Sequence, residues 1–138
     1  MNTKTIIAAV IGGLSSFLLG WLFYGILFKD ALAGMCGSAT GVMRADDQMV
    51  FWALALGNVV IGYLVAYIFS NWAGINTFIG GAKAGALLGL LFSLGFDLIM
   101  YATSNITTLN GVFLDVLIQT IMWAISAAFV GWWLGRSA

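Results

Sequence analysis

Four apolar stretches, each long enough to cross a bilayer, constrain this chain more than anything else in it. They run from about Thr5 to Phe28, Met49 to Ser70, Phe78 to Ala102 and Val112 to Leu134. A helix rises about 1.5 Å per residue, so about 20 residues cover ~30 Å of hydrocarbon. Unpaired backbone N–H and C=O groups are too costly in lipid, so each stretch must close its own hydrogen bonds as a helix. Membrane β-strands alternate and are about half this length, which excludes a barrel. The expected fold is therefore all-α, an integral membrane four-helix bundle in a single transmembrane domain. The connections near residues 71–77 and 103–111 only turn the chain, and short connections make neighbours antiparallel, giving an up-down-up-down topology. Only the connection from about Lys29 to Gln48 has room for structure of its own.

Composition narrows the chemistry. Of 138 residues, 62% are hydrophobic and 7% charged. An ordinary soluble domain is about a quarter charged. The chain has no His, no Glu and no Pro, and a single cysteine, Cys36, expected as a free thiol in the first loop. Haem between histidines, His-based triads, His or multi-Cys zinc sites and dithiol redox pairs are thereby excluded. The expectation is no enzyme, no cofactor and no metal site. A net charge of zero offers no field for nucleic acid. The partners expected are the lipid bilayer and either further copies of the chain or a larger membrane complex.

Charge also orients the chain. With the N-terminus inside, Lys4, Lys83 and Arg136 lie on the cytoplasmic side against Lys29 and Arg44 outside. The excess of cations predicts N-in and C-in. Trp21, Phe23, Tyr24, Trp52, Trp72, Tyr101, Trp132 and Trp133 fall at span ends, where amphipathic rings favour the headgroup level. Trp123, in mid-span, is the exception. Lys83 should snorkel to the headgroups. The first span is read as retained, because its apolar run is far longer than that of a signal peptide. Asn105-Ile106-Thr107 matches a glycosylation acceptor, but three-residue patterns recur by chance.

Small residues recur four apart on three spans: Gly12, Ser16 and Gly20; Gly81, Gly85 and Gly89; Ala127, Gly131 and Gly135. Gly62 and Ala66 form a related pair. Such faces let backbones approach closely in lipid. Three of them exceed what one dimer contact needs, so packing among the four helices is the leading reading.

Ionisable groups inside a span are costly and point to function. Asp97 lies about one and a half turns from the outer end of the third span, and Asp115 about one turn into the fourth. In an antiparallel hairpin these depths match. Gln119 is one turn deeper than Asp115 on the same face, and Ser93 one turn deeper than Asp97. Tyr24 and Tyr101 reach similar depth, and Asn58 lies near mid-membrane on the second span. Together they outline a ligand or ion path open to the outer side. The structural alternatives are that Asp115 charges a helix N-terminus and that Asp97 pairs with Arg44, Lys29 or a tyrosine. Asp46 or Asp47 is expected to cap the second span, with Arg44 pairing locally. Asp30, Asp46 and Asp47 have no recognisable cation-ligand spacing.

The run Gly20-Trp21-Leu22-Phe23-Tyr24-Gly25-Ile26-Leu27-Phe28 resembles the first-helix signature of a family of small four-span bacterial membrane proteins of unassigned function. That family also carries a Gly-rich third helix, like Gly81-Ala82-Lys83-Ala84-Gly85-Ala86-Leu87-Leu88-Gly89. Its fourth helix ends in a pattern like Val130-Gly131-Trp132-Trp133-Leu134-Gly135. Here Leu22-Phe23 stand between Trp21 and Tyr24, where the family tends to pair Trp and Tyr directly. The resemblance implies a bacterial inner-membrane protein and supplies no catalytic residues. The leading functional expectation is a structural or accessory subunit that packs by its Gly-rich faces with itself or a larger complex. The alternative is an oligomeric channel, transporter or small-ligand binder using Asp97 and Asp115.

Overall fold

The computed structural model describes residues 3–136. Helix α1 spans Thr3–Leu22 and continues through a π turn, Phe23–Leu27. A short helix α2, Lys29–Ala33, follows. Helix α3 spans Phe51–Tyr67 and also ends in a π turn, Ile68–Ala73. Helices α4, Phe78–Thr103, and α5, Leu109–Leu134, complete the chain. Four of these helices are long and apolar enough to cross a membrane. No strand occurs among the described residues, and the fold is an all-α four-helix bundle.

Local chemistry sets the helix ends. Thr77 caps α4 by accepting from Gly80 N at 2.9 Å, and Thr108 caps α5 by accepting from Gly111 N at 3.2 Å. Gly74, at φ 65°, takes the left-handed conformation that ends the π turn after α3. Two capping expectations change. α5 begins at Leu109, so Asp115 sits nearly two turns inside and is no cap. α3 begins after extended Met49 and non-helical Val50, with no side-chain cap, which leaves Asp47 outside the helix. The expectations for the Asp46 side chain fall outside the described residues. Arg44 donates to the Gln48 carbonyl at 3.5 Å.

Helix α1 pairs with α3, α4 pairs with α5, and α5 also packs on α1. The chain therefore alternates direction, with both ends and residues 74–77 on one side (the terminal side) and residues 28–50 and 104–108 on the other (the long-loop side). Lys4 Nζ donates to the Arg136 carbonyl, tying the two ends of the chain together. Arg136 lies over the Trp132 and Trp133 rings at 5.1 and 5.4 Å.

Glycine makes both pairs close. A Cβ on Gly62 would strike the Ala9 carbonyl and, at 2.7 Å, Gly13 N. A Cβ on Gly13 would lie 2.6 Å from Val59 Cα. Across α4 and α5, Gly81 meets Ala127, Gly85 meets Ala127 and Trp123, and Gly89 meets Trp123 and Gln119. Gly131 seats against Thr77 and Gly81, and Gly135 against Asn76. A Cβ on Gly12 would lie 2.6 Å from the Val130 side chain, and Ser16 Oγ donates to Ser126 Oγ at 2.9 Å, joining α1 to α5. Gly20 is looser: a Cβ there would meet only Met122 Cε, at 3.6 Å. Ala8, Ala9, Val65, Ala66, Phe69, Ala127 and Val130 form the buried core, which lies toward the terminal side.

Close backbone contact predicts a contrast between two glycines of one helix. Gly62→Ala places a methyl against backbone that cannot yield and should cost about 1–3 kcal/mol, as overpacking does. At Gly57 a Cβ would meet nothing within 4 Å. Gly57→Ala should stay within about 0.5 kcal/mol of the parent. Unfolding in detergent measures both.

Candidate functional site

The polar side chains of the long-loop half converge where α1, α4 and α5 meet. On α5, Asp115, Gln119 and Trp123 are spaced four apart and share one face. Tyr24 reaches this face from the π turn of α1. In that turn Phe28 N bonds back to the Phe23 carbonyl at 2.8 Å, one residue farther than in an α-helix. The extra residue re-aims the side chains around it, and π turns of this kind gather at functional positions.

The bonds run in one direction. Trp123 Nε1 donates to Gln119 Oε1 at 3.2 Å, Gln119 Nε2 donates to the Tyr24 hydroxyl at 2.8 Å, and that hydroxyl donates to Asp115 Oδ1 at 2.5 Å. Three donors in series end on one carboxylate oxygen. In a low-dielectric interior each bond of such a chain polarises the next.

Asp97 completes the group from α4. Its carboxyl lies close enough to Asp115 and Tyr24 to interact with both. Asp97 Oδ2 is buried and has no hydrogen-bond partner among the described residues. The glycine contacts set this juxtaposition. From Gly81 and Ala127 to Gly85 and Trp123 to Gly89 and Gln119, each turn up α4 matches a turn back along α5. The next turns place Ser93 level with Asp115, and Asp97 level with Gly111. Ser93 is buried at 4% exposure and returns its hydroxyl to the Gly89 carbonyl at 2.6 Å.

Of the expected path residues, Asp97, Asp115, Gln119 and Tyr24 come together. Tyr24 thus leaves the interfacial belt to which its position had assigned it. Asn58 does not join them. It donates to the Leu54 carbonyl of its own helix at 2.8 Å and lines an open groove with Trp52, Gly57 and Ile61. Tyr101 is also apart, exposed one turn beyond Asp97. Trp123 is the member that sequence reasoning missed. Its signal was its spacing of four from Gln119 and eight from Asp115, in a span where no headgroup-level ring is expected. No group of three or more His, Cys, Asp or Glu side chains suited to a metal ion occurs among the described residues.

Comparisons with family models, with curated proteins and with solved structures found no match. The first-helix resemblance therefore stands on its own residues.

The directed chain predicts coupling. Tyr24→Phe removes the donor to Asp115 and the acceptor for Gln119, and should cost about 1–3 kcal/mol, as an unsatisfied buried polar group does. In a double-mutant cycle with Gln119→Leu, the combined loss should fall short of the sum by about 0.5 kcal/mol or more. Strict additivity would show that the two side chains act independently.

Proposed function

We propose that this small polytopic membrane protein binds and passes a proton or small cation at the Asp97–Asp115 pair, with no bond-making catalysis. The observation that carries this reading is the meeting of two carboxyls from different helices inside apolar spans, with a chain of three hydrogen bonds ending on one of them. Charges at such depth are costly and mark ion or proton paths where they occur. Two carboxyls in contact need a hydrogen between them, because ionised carboxylates only accept. Tyr24 already donates to Asp115. This reading assigns the hydrogen of the pair to Asp97. Loss of that hydrogen would leave two adjacent charges, which attract a replacement cation or proton. Tyr24, Gln119 and Trp123 hold Asp115 in place while this exchange occurs.

A path through the whole membrane needs more than four helices paired in this way, so the reading includes further copies or a larger membrane complex. It also includes a bacterial inner membrane with both termini inside, on the balance of Lys4, Lys83 and Arg136 against Lys29 and Arg44. In that orientation the aspartates lie toward the outside.

The accessory-subunit reading is second. The glycine faces that suggested it are largely occupied within the chain. It is favoured instead by the first two turns of α3, where Phe51 through Gly57 are all exposed. Native mass spectrometry after mild-detergent extraction would favour it by returning a stoichiometric larger partner.

The leading reading is tested in liposomes loaded with a pH-sensitive dye under an imposed potential. The parent protein should carry proton flux above empty liposomes, and Asp97→Asn should reduce it to background. Asp97→Asn should keep its unfolding free energy within about 1 kcal/mol of the parent, since it retains the volume and an N–H donor toward Asp115. Asp30→Asn, in the exposed α2, should conduct as the parent does. Flux equal in Asp97→Asn and parent, or absent from the parent, overturns the reading.

A further inference from the structure

We infer that residues 35–39 form an access strap over the Asp97–Asp115 site, which opens to connect that site with the aqueous phase on the long-loop side. The inference rests on the reading of the site given above and assigns its regulation.

Asp97 Oδ2 is buried although the residue as a whole is part-exposed, and inside the spans the exposed part faces lipid, so an ion or water from the aqueous phase reaches Oδ2 only after something moves. The strap lies where that movement is required. Thr108 donates to the Met35 carbonyl twice, from N at 3.1 Å and from Oγ1 at 2.7 Å. Gly37 N donates to the Ile106 carbonyl at 3.0 Å, and Ala39 N to the Asn105 carbonyl at 2.9 Å. These bonds seat the strap on the α4–α5 turn. A Cβ on Gly111 would lie 2.9 Å from the Met35 carbonyl. Gly111 is the residue that the helix register sets level with Asp97, and it lies one turn above Asp115 on the same face of α5. Met35 therefore rests on the long-loop end of the site.

The strap is also suited to opening. Four hydrogen bonds hold it to the turn between α4 and α5 and the cap of α5, and Met35 N and Cys36 Sγ donate back to the Leu32 carbonyl of α2. Cys36 and Ser38 are exposed, as is every described position from 40 to 45. Segments with few buried contacts open at far lower free energy than a packed core. The helices below pack closely at Gly81, Gly85 and Gly89. Opening at the strap leaves those contacts intact.

The pairing supplies its own lock. Cys36 and Thr107 face each other as an antiparallel bridge. The bonds from Gly37 N to Ile106 O and from Thr108 N to Met35 O flank that pair and bypass it, which makes it a non-hydrogen-bonded pair. Such pairs hold their Cα atoms ~4.5 Å apart. A disulfide spans Cα separations of ~4.4–6.8 Å. Thr107→Cys should therefore bond to the native Cys36 under a thiol oxidant.

The test reads access directly. Asp97 and Asp115 are coupled to an amine by a water-soluble carbodiimide applied to the full chain in detergent, and the modified peptides are followed by mass spectrometry. Oxidised Thr107→Cys should label about tenfold more slowly than the same protein reduced, because locking removes the open state. Cys36→Ser with Thr107→Cys should not respond to oxidant. Gly37→Ala, whose methyl would strike the Asn105 carbonyl, should loosen the strap and label faster than the parent. Equal rates with the disulfide formed, a disulfide that does not form, or unchanged labelling of Gly37→Ala would each overturn the strap. Labelling and flux separate the two inferences. A site that carries no flux but labels under control of the lock removes the proposed function and keeps the strap. Flux lost in Asp97→Asn with labelling blind to the lock does the reverse.

Discussion

The rest of the structure depends on the backbone approach of α4 to α5. Gly81, Gly85 and Gly89 let one helix sit directly on the carbonyls and side-chain stems of Ala127, Trp123 and Gln119. Lipid offers no hydrophobic drive between helices, so this contact is stabilised by van der Waals packing over a surface free of protruding side chains. It also fixes register. A slide of one residue would bring a larger side chain against backbone. The register in turn decides which residues of the long-loop half stand level, setting Ser93 beside Asp115 and Asp97 beside Gly111.

A buried polar group is stable only when its partners are in place. The bundle answers this demand unevenly. Asp115 receives a hydroxyl that is itself supported by Gln119 and Trp123. Asp97 Oδ2 receives nothing. The two carboxyls are thus unlike in environment, an arrangement that suits the proposed exchange at Asp97. The core of small apolar residues lies apart from them, toward the terminal side.

Much of this was legible in the residues. The spans fall within a few residues of the apolar stretches, because length and apolarity are what the bilayer selects. Asp97 and Asp115 stood out because a carboxyl in hydrocarbon is expensive. Their matched depth followed from counting turns in from a short connection. Asn58 misled because depth alone does not give direction, and its amide was satisfied by the Leu54 carbonyl on its own helix. Asp115 looked like a terminal charge because the helix start was placed three residues late, beyond the Thr108 cap. The close contact of Gly13 with Val59 was hidden because it lies beside Gly12 and breaks the spacing of four.

The sequence by itself determined four helices, their alternating direction, the exclusion of histidine and dithiol chemistry, and the identity of the costly carboxyls. Each follows from composition or from distance along the chain. Only the tertiary structure decided that Tyr24 turns inward, that Trp123 belongs to the polar chain and that residues 35–39 rest on the α4–α5 turn. The π turn at Phe23–Leu27 differs from an α-helix by one residue in its hydrogen bonding. Local propensity separates those two states weakly, whereas a partner such as Asp115, 91 positions away in the chain, separates them strongly. The strap is held mainly by backbone groups that every residue carries, with one bond from the Thr108 hydroxyl, so the side-chain pattern did not announce where it would dock.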